Sequence, residues 1–163
     1  ELRSITFKNK YEAKGGLKLT ARKIIKGNFT TPAGKFKFEI RDENGDVVST
    51  GTNDKDGRIE FSEIKFNQSD VGKKFKFIAN EVDENDTLYT YDKTKCEYTV
   101  EVVDKGDGTL SFNTEAKDLF TDDVKNEPSI AVFANEYAPG DLSVSKRINS
   151  GDKNKDFRFK GEL

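Results

Sequence analysis

The sequence predicts an all-β domain built as a two-sheet antiparallel sandwich, and three observations lead there. Apolar residues alternate with polar ones at period 2 through short runs, which gives each strand one dry and one wet face. Asn-Gly and Asp-Gly pairs punctuate those runs, where a tight hairpin needs residues that accept positive φ. Leu, Ile, Val and Phe supply 40 of the 163 residues, about a quarter of the chain and above the roughly 20% below which a chain tends to stay disordered.

In chain order, the first strand is centred on Leu17-Lys18-Leu19, and the second runs over Phe36-Lys37-Phe38-Glu39-Ile40, with Phe36, Phe38 and Ile40 on one face. Asn44-Gly45 and Asp56-Gly57 mark turns on the way to Ile59-Glu60-Phe61. Phe75-Lys76-Phe77 and Tyr98 to Val103 follow, then an Asp107-Gly108 turn, and the last strand covers Ile130 to Phe133. Between these lies the one stretch with helical character, 115–125, where Leu119, Phe120 and Val124 form a small apolar edge; a short helix and a long loop fit it equally.

Charge and composition remove several classes of function. A formal net charge of −2 gives no general attraction to nucleic acid or anionic membrane, so neither is expected as a partner. No run of 18 apolar residues exists. His, Met and Trp are absent, which takes away the commonest general base and metal ligand, so neither a metal nor a cofactor is expected. The lone Cys96 has no partner for an internal disulfide and no His to activate it, and reads as a strand residue. Thr52 to Glu63 mimics a calcium loop, but Thr52 stands where Asp is wanted and strands flank it, so an Asp-Gly hairpin is the expectation. Asn28, Asn67 and Asn85 begin Asn-x-Ser/Thr triplets that match the glycosylation pattern, and Asp122-Asp123 reads as a solvated loop.

Two segments far apart share pattern and order. Ile5-Thr6-Phe7-Lys8-Asn9-Lys10-Tyr11 is echoed by Ala131-Val132-Phe133-Ala134-Asn135-Glu136-Tyr137, and the Gly-x-Leu stretch leading to Lys23 is echoed before Lys146. Phe36-Lys37-Phe38-Glu39 likewise returns as Phe157-Arg158-Phe159-Lys160. The spacing implies tandem domains of about 125 residues, a normal size for one sandwich. Residues 1–11 are then the last strand of a preceding repeat, 12–138 one complete domain, and 139–163 the first strands of the next. A chain that starts at Glu1 without Met fits a piece of a longer protein, with any sorting signal outside it.

Alternation also assigns faces. Leu17, Leu19 and Ala21 lead in phase to Lys23 and Ile25; Phe75, Phe77 and Ala79 lead to Glu81; Ala131 and Phe133 lead to Asn135. An amine, a carboxyl and a carboxamide therefore point at one interior, where each unpaired costs several kcal/mol, on the order of 2–7 for the amide. Burial favours the neutral amine and the neutral acid. A neutral amine is a nucleophile, a carboxamide is an acyl centre, and a protonated Glu can hydrogen-bond the amide oxygen and carry protons to departing ammonia. The product would be an amide between Lys23 and Asn135, formed once. The plainer alternatives are a buried Lys23–Glu81 ion pair with a hydrogen-bonded Asn135, or exposure of Lys and Asn at strand ends. Lys23 is preferred over Arg22, which is out of phase and too basic to lose its proton, although a bulge would shift the geometry.

"ITFKNKYEAKGGLKLTARK", "FKFIANEV" and "AVFANEYAPGDLSVSK" resemble the pilin isopeptide-linkage domains of Gram-positive surface proteins, the major-pilin type related to Cna B-type domains, over nearly the whole chain. The resemblance implies an Ig-like, Cna B-type sandwich, with Lys23 as linking amine, Glu81 as catalytic acid and Asn135 as linked amide. Asn9 and Lys146 would belong to the cross-links of the flanking repeats, although Lys146 lies four residues after Leu142 and Lys23 six after Leu17. It further implies a structural stalk module, not an enzyme, in a cell-wall-anchored pilin or adhesin outside a Gram-positive cell. Tandem copies of the domain, other pilin subunits or host matrix proteins would be its partners. The competing reading is a host-ligand-binding adhesin domain whose triad only stabilises the scaffold.

Overall fold

The computed structural model describes residues 4–6, 10–27, 29–118 and 130–138. Eleven strands are present among them: β1 Lys14–Leu17, β2 Thr20–Lys26, β3 Lys37–Arg41, β4 Val47–Asn53, β5 Arg58–Phe61, β6 Ile64–Asn67, β7 Lys74–Glu81, β8 Tyr89–Thr90, β9 Lys95–Asp104, β10 Leu110–Asp118 and β11 Ile130–Tyr137. Nine form one sheet in the order β10-β9-β7-β3-β4-β5-β2-β11-β8, and β1 pairs with β6 in a small second sheet. The nine-stranded sheet curls so that its halves face each other. Phe38 of β3 lies 5.3 Å from Phe133 of β11, ring centre to ring centre. From β9, the buried Tyr98 hydroxyl donates to Thr20 O of β2 at 3.0 Å and accepts from Ala131 N of β11 at 3.2 Å.

The fold is all-β, as its alternation requires, and the core is the sum of the inward phases: Phe36, Phe38 and Ile40, Ile59 and Phe61, Phe77 and Ala79, Tyr98, Val100 and Val102, Ala131 and Phe133. Cys96 is buried in β9. Two differences from the sequence-based expectation matter. The strand expected around Leu17-Leu19 divides into β1 and β2, because the chain leaves β6 as a partner and joins β5 and β11 instead. The inward phase survives the break: Leu19, Ala21, Lys23 and Ile25 are all buried.

The second difference is direction. Every other strand pair is antiparallel, but β2 and β11 run parallel, with Phe133 opposite Lys23 and Asn135 opposite Ile25. Parallel neighbours need a long crossover, and here that crossover is the whole domain between them. The stretch 115–125 begins as strand, since β10 continues to Asp118 against β9 down to Cys96; its remainder lies outside the described residues. The apparent calcium loop is the β4–β5 hairpin, in which one carboxylate oxygen of Asp54 accepts the amides of Asp56 and Arg58, both at 2.8 Å.

Candidate functional site: a buried Lys-Glu-Asn triad

Lys23 on β2, Glu81 at the end of β7 and Asn135 on β11 meet inside the curled sheet, as their inward phases require. The side chains of Lys23 and Glu81 are fully removed from solvent, and Asn135 is wholly buried. One carboxylate serves both neighbours. Lys23 Nζ donates to Glu81 Oε2 at 2.9 Å, and Asn135 Nδ2 donates to Glu81 Oε1 at 2.9 Å. Lys23 Nζ also stands 4.8 Å from the centre of the Phe36 ring and 5.9 Å from that of Phe38, so its surroundings are mostly hydrocarbon.

Burial decides the electrostatics of this trio. Desolvation lowers the Lys23 pKa below its ordinary value, against the opposing charge and hydrogen bond of Glu81. Desolvation likewise raises that of Glu81, against Lys23, Asn135 and the Asp92 amide. Both shifts move the pair toward free amine and carboxylic acid. This site differs in one respect from the sequence-based picture, which put the acid on the amide oxygen. Asn135 turns its nitrogen to Glu81, and its Oδ1 accepts the backbone N–H of Asp92 at 2.8 Å. The amide orientation follows from that donor, since a backbone N–H cannot face an NH2 group.

Asp92 was not among the residues singled out from sequence. Its N–H serves the Asn135 oxygen and lies 3.3 Å from Glu81 Oε2, while its carboxylate accepts Ala134 N at 2.6 Å and Thr94 N at 2.8 Å. The loop before β9 is thereby pinned to β11 beside Asn135. Its signal in sequence was the Asp92-Lys93-Thr94 triplet, an Asx turn. Asp92→Ala is expected to leave a folded domain and to slow any reaction at Asn135 by about tenfold or more, because displacing a reacting group by about 1 Å can cost on the order of 100-fold. A time course on refolding chain checks this, with Asp92→Asn expected to recover part of the rate.

Lys23 is positioned from behind by the Asp56-Gly57 turn. Gly57 has φ of +80°, its oxygen accepts Lys23 N at 2.6 Å, and a Cβ there would lie 2.2 Å from Lys23 O. Gly57→Ala should therefore destabilise the domain by about 1–3 kcal/mol, from backbone strain alone. Urea midpoints compared within an Asn135→Ala background would measure it. Asn9 and Lys146, the candidate residues of flanking repeats, lie outside the described residues.

A family model described as "FctA: Spy0128-like isopeptide containing domain" matches residues 19–138, from the strand that carries Lys23 to the end of the strand that carries Asn135. The chain belongs to this isopeptide-domain family. Among solved structures it is similar to the major pilin protein T3.2 of Streptococcus pyogenes, at 20% identity and a TM-score of 0.50, over 76% of this chain and 53% of that one. It is also similar to the major pilin protein T-13 of the same species, at 14% identity and a TM-score of 0.41, over 78% of this chain and 52% of that one. The chain thus spans about half the length of these pilins, and the first of them supports the fold. No curated protein sequence matches it. No helix among the described residues is long and apolar enough to cross a membrane.

Proposed function

We propose that Lys23 and Asn135 become joined by an amide bond, formed by the domain itself with Glu81 as proton carrier, and that the linked domain is a load-bearing module of a pilus backbone on a Gram-positive cell surface. The observation that carries this reading is the buried Glu81 carboxylate, bonded on one oxygen to the amine and on the other to the carboxamide nitrogen. Membership of the isopeptide-domain family supports the same chemistry.

The reaction balances within the trio. The ammonium of Lys23 gives a proton to Glu81, and the free Nζ attacks Asn135 Cγ. Negative charge develops on Oδ1, where the Asp92 N–H already points. Glu81 hands the proton it received on to Nδ2, the Cγ–Nδ2 bond breaks, and ammonia leaves. The new Nζ–Cγ bond keeps one hydrogen on Nζ, with the second passed back to Glu81. Nothing is oxidised or reduced. Lys23 and Asn135 are buried on neighbouring strands, so a reaction that is slow between free molecules becomes intramolecular.

The pH dependence follows from proton counting. Free amine plus carboxylic acid carries as many protons as ammonium plus carboxylate, so the reactive form is reached by transfer within the pair. The rate is therefore expected to be level across neutral pH. It should fall at acid pH, where the pair gains a net proton and the amine stays charged, and at alkaline pH, where it loses one and no acid remains. Chain synthesised and kept unfolded, then refolded across a pH series with its mass followed in time, tests this. A rate that climbed steadily with pH, tracking the free amine alone, would remove Glu81 from the mechanism.

A further inference from the structure

The chain enters the domain through residues 10–13, which have no regular secondary structure but are held at several points. The Tyr11 hydroxyl donates to Asp104 Oδ1 at 3.1 Å and accepts Gly108 N at 2.8 Å. Ala13 is fully buried and donates its N–H to Gln68 Oε1 at 3.1 Å, while Gln68 Nε2 donates to the other oxygen of Asp104 at 3.2 Å. Lys14 N donates to Gly108 O at 3.2 Å. The receiver is the β9–β10 hairpin, shaped by Gly106 and Gly108 at φ of +78° and +88°, with Gly106 N fixing Asp104 Oδ1 at 2.8 Å. Both functions of the Tyr11 hydroxyl are in use, which no Phe can reproduce.

Tyr11 follows Asn9 by two residues, as Tyr137 follows Asn135, so the two tyrosines are equivalent in the repeat. Tyr137 ends β11 with its ring 5.0 Å from Phe29 and 5.6 Å from Tyr89, and it is 36% exposed. We propose that the tyrosine closing the last strand of each repeat latches onto the β9–β10 hairpin of the repeat that follows. Tyr11 is then the preceding repeat's latch, seated on Asp104 and Gly108, and Tyr137 is the latch offered to the next domain. This rests on the tandem repeat read from the sequence and not on the cross-link. Only Glu12 and Ala13 separate the latch from β1, and Ala13 is itself anchored, so no flexible linker remains between domains. Successive modules would stand at one fixed angle.

Amide exchange in the full chain is the first test. Tyr11→Phe is expected to speed exchange at Gly108 by roughly tenfold or more and to leave the amides of β2 and β11 unchanged. Unaltered exchange at Gly108 overturns the latch. The second test is a chain of residues 1–138 followed directly by a second copy of 13–138, compared by solution scattering with its Tyr137→Phe form. The parent should scatter as a rod of one length, and the variant as a mixture of bent forms. The mass of the same sample reports the cross-link separately. Two lost ammonias with identical scattering from parent and variant overturn the latch alone; full mass with variant-sensitive scattering supports the latch and overturns the cross-link.

Discussion

The denatured, reduced chain is expected to weigh one ammonia less than its sequence, and Lys23→Ala, Glu81→Gln and Asn135→Ala are each expected to restore the full mass. The three variants separate three roles. Lys23→Ala removes the nucleophile and Asn135→Ala the acyl centre, so neither can lose ammonia whatever else happens in the fold. Glu81→Gln is the sharper test, because Gln keeps the shape and still accepts a hydrogen bond but cannot take a proton from Nζ and return it to Nδ2. Full mass in Glu81→Gln, together with a folded chain, assigns the proton transfer to that carboxyl. A deficit that persists there would leave Glu81 a merely structural neighbour of the bond. A parent at full mass would sink the cross-link itself and leave a buried Lys23–Glu81 ion pair with a hydrogen-bonded amide.

The variants should also differ in stability in a way that follows from what each leaves behind. Lys23→Ala strands a carboxyl in a pocket walled by Phe36 and Phe38, and breaking a buried pair from one side costs about 3–5 kcal/mol. Asn135→Ala keeps the 2.9 Å contact between Lys23 and Glu81, so it removes the bond at a smaller penalty to the fold. It is the better background for measurements that need an unlinked domain.

Much of this site is legible in the sequence, because a strand writes its inward face there as every second residue. Lys23, Glu81 and Asn135 each continue an apolar phase, and polar groups on a dry face have few places to go except to each other. The same logic fails for Asp92. It sits in the loop before β9, outside any period, and meets Asn135 through its backbone N–H, which every residue but proline carries. Strand direction was also invisible. Alternation reads the same forwards and backwards, so nothing in Ile130 to Phe133 distinguishes a parallel from an antiparallel neighbour, and only the fold shows β11 beside β2 in parallel. The strand identity of 115–118 was hidden for a different reason: of the four residues only Ala116 is apolar, and β10 is an edge strand with little to bury.

Pulled from its ends, the parent chain is expected to show no unfolding step for the residues between Lys23 and Asn135, while Asn135→Ala shows one long step. In a tandem array, force would enter this domain through residues 10–13 and β1, pass into β2 at Thr20, and leave at the end of β11. These strands are hydrogen-bonded neighbours running in the same direction, so tension at opposite ends loads their ladder in shear. Without a covalent tie, failure of that ladder would expose every intervening strand and release their contour length, about 3.3–3.6 Å per residue. An amide from Lys23 to Asn135 carries the tension directly from β2 to β11, and the layers between never enter the load path. It also closes a loop of about 100 residues, which in the chain-entropy picture for disulfides stabilises by about 4.7 kcal/mol. Unlike a disulfide, this tie is indifferent to reductant, so the short extension should persist in dithiothreitol. A parent that lengthens as far as Asn135→Ala would show that β2 and β11 are joined by hydrogen bonds alone, and the load-bearing role would fall with it.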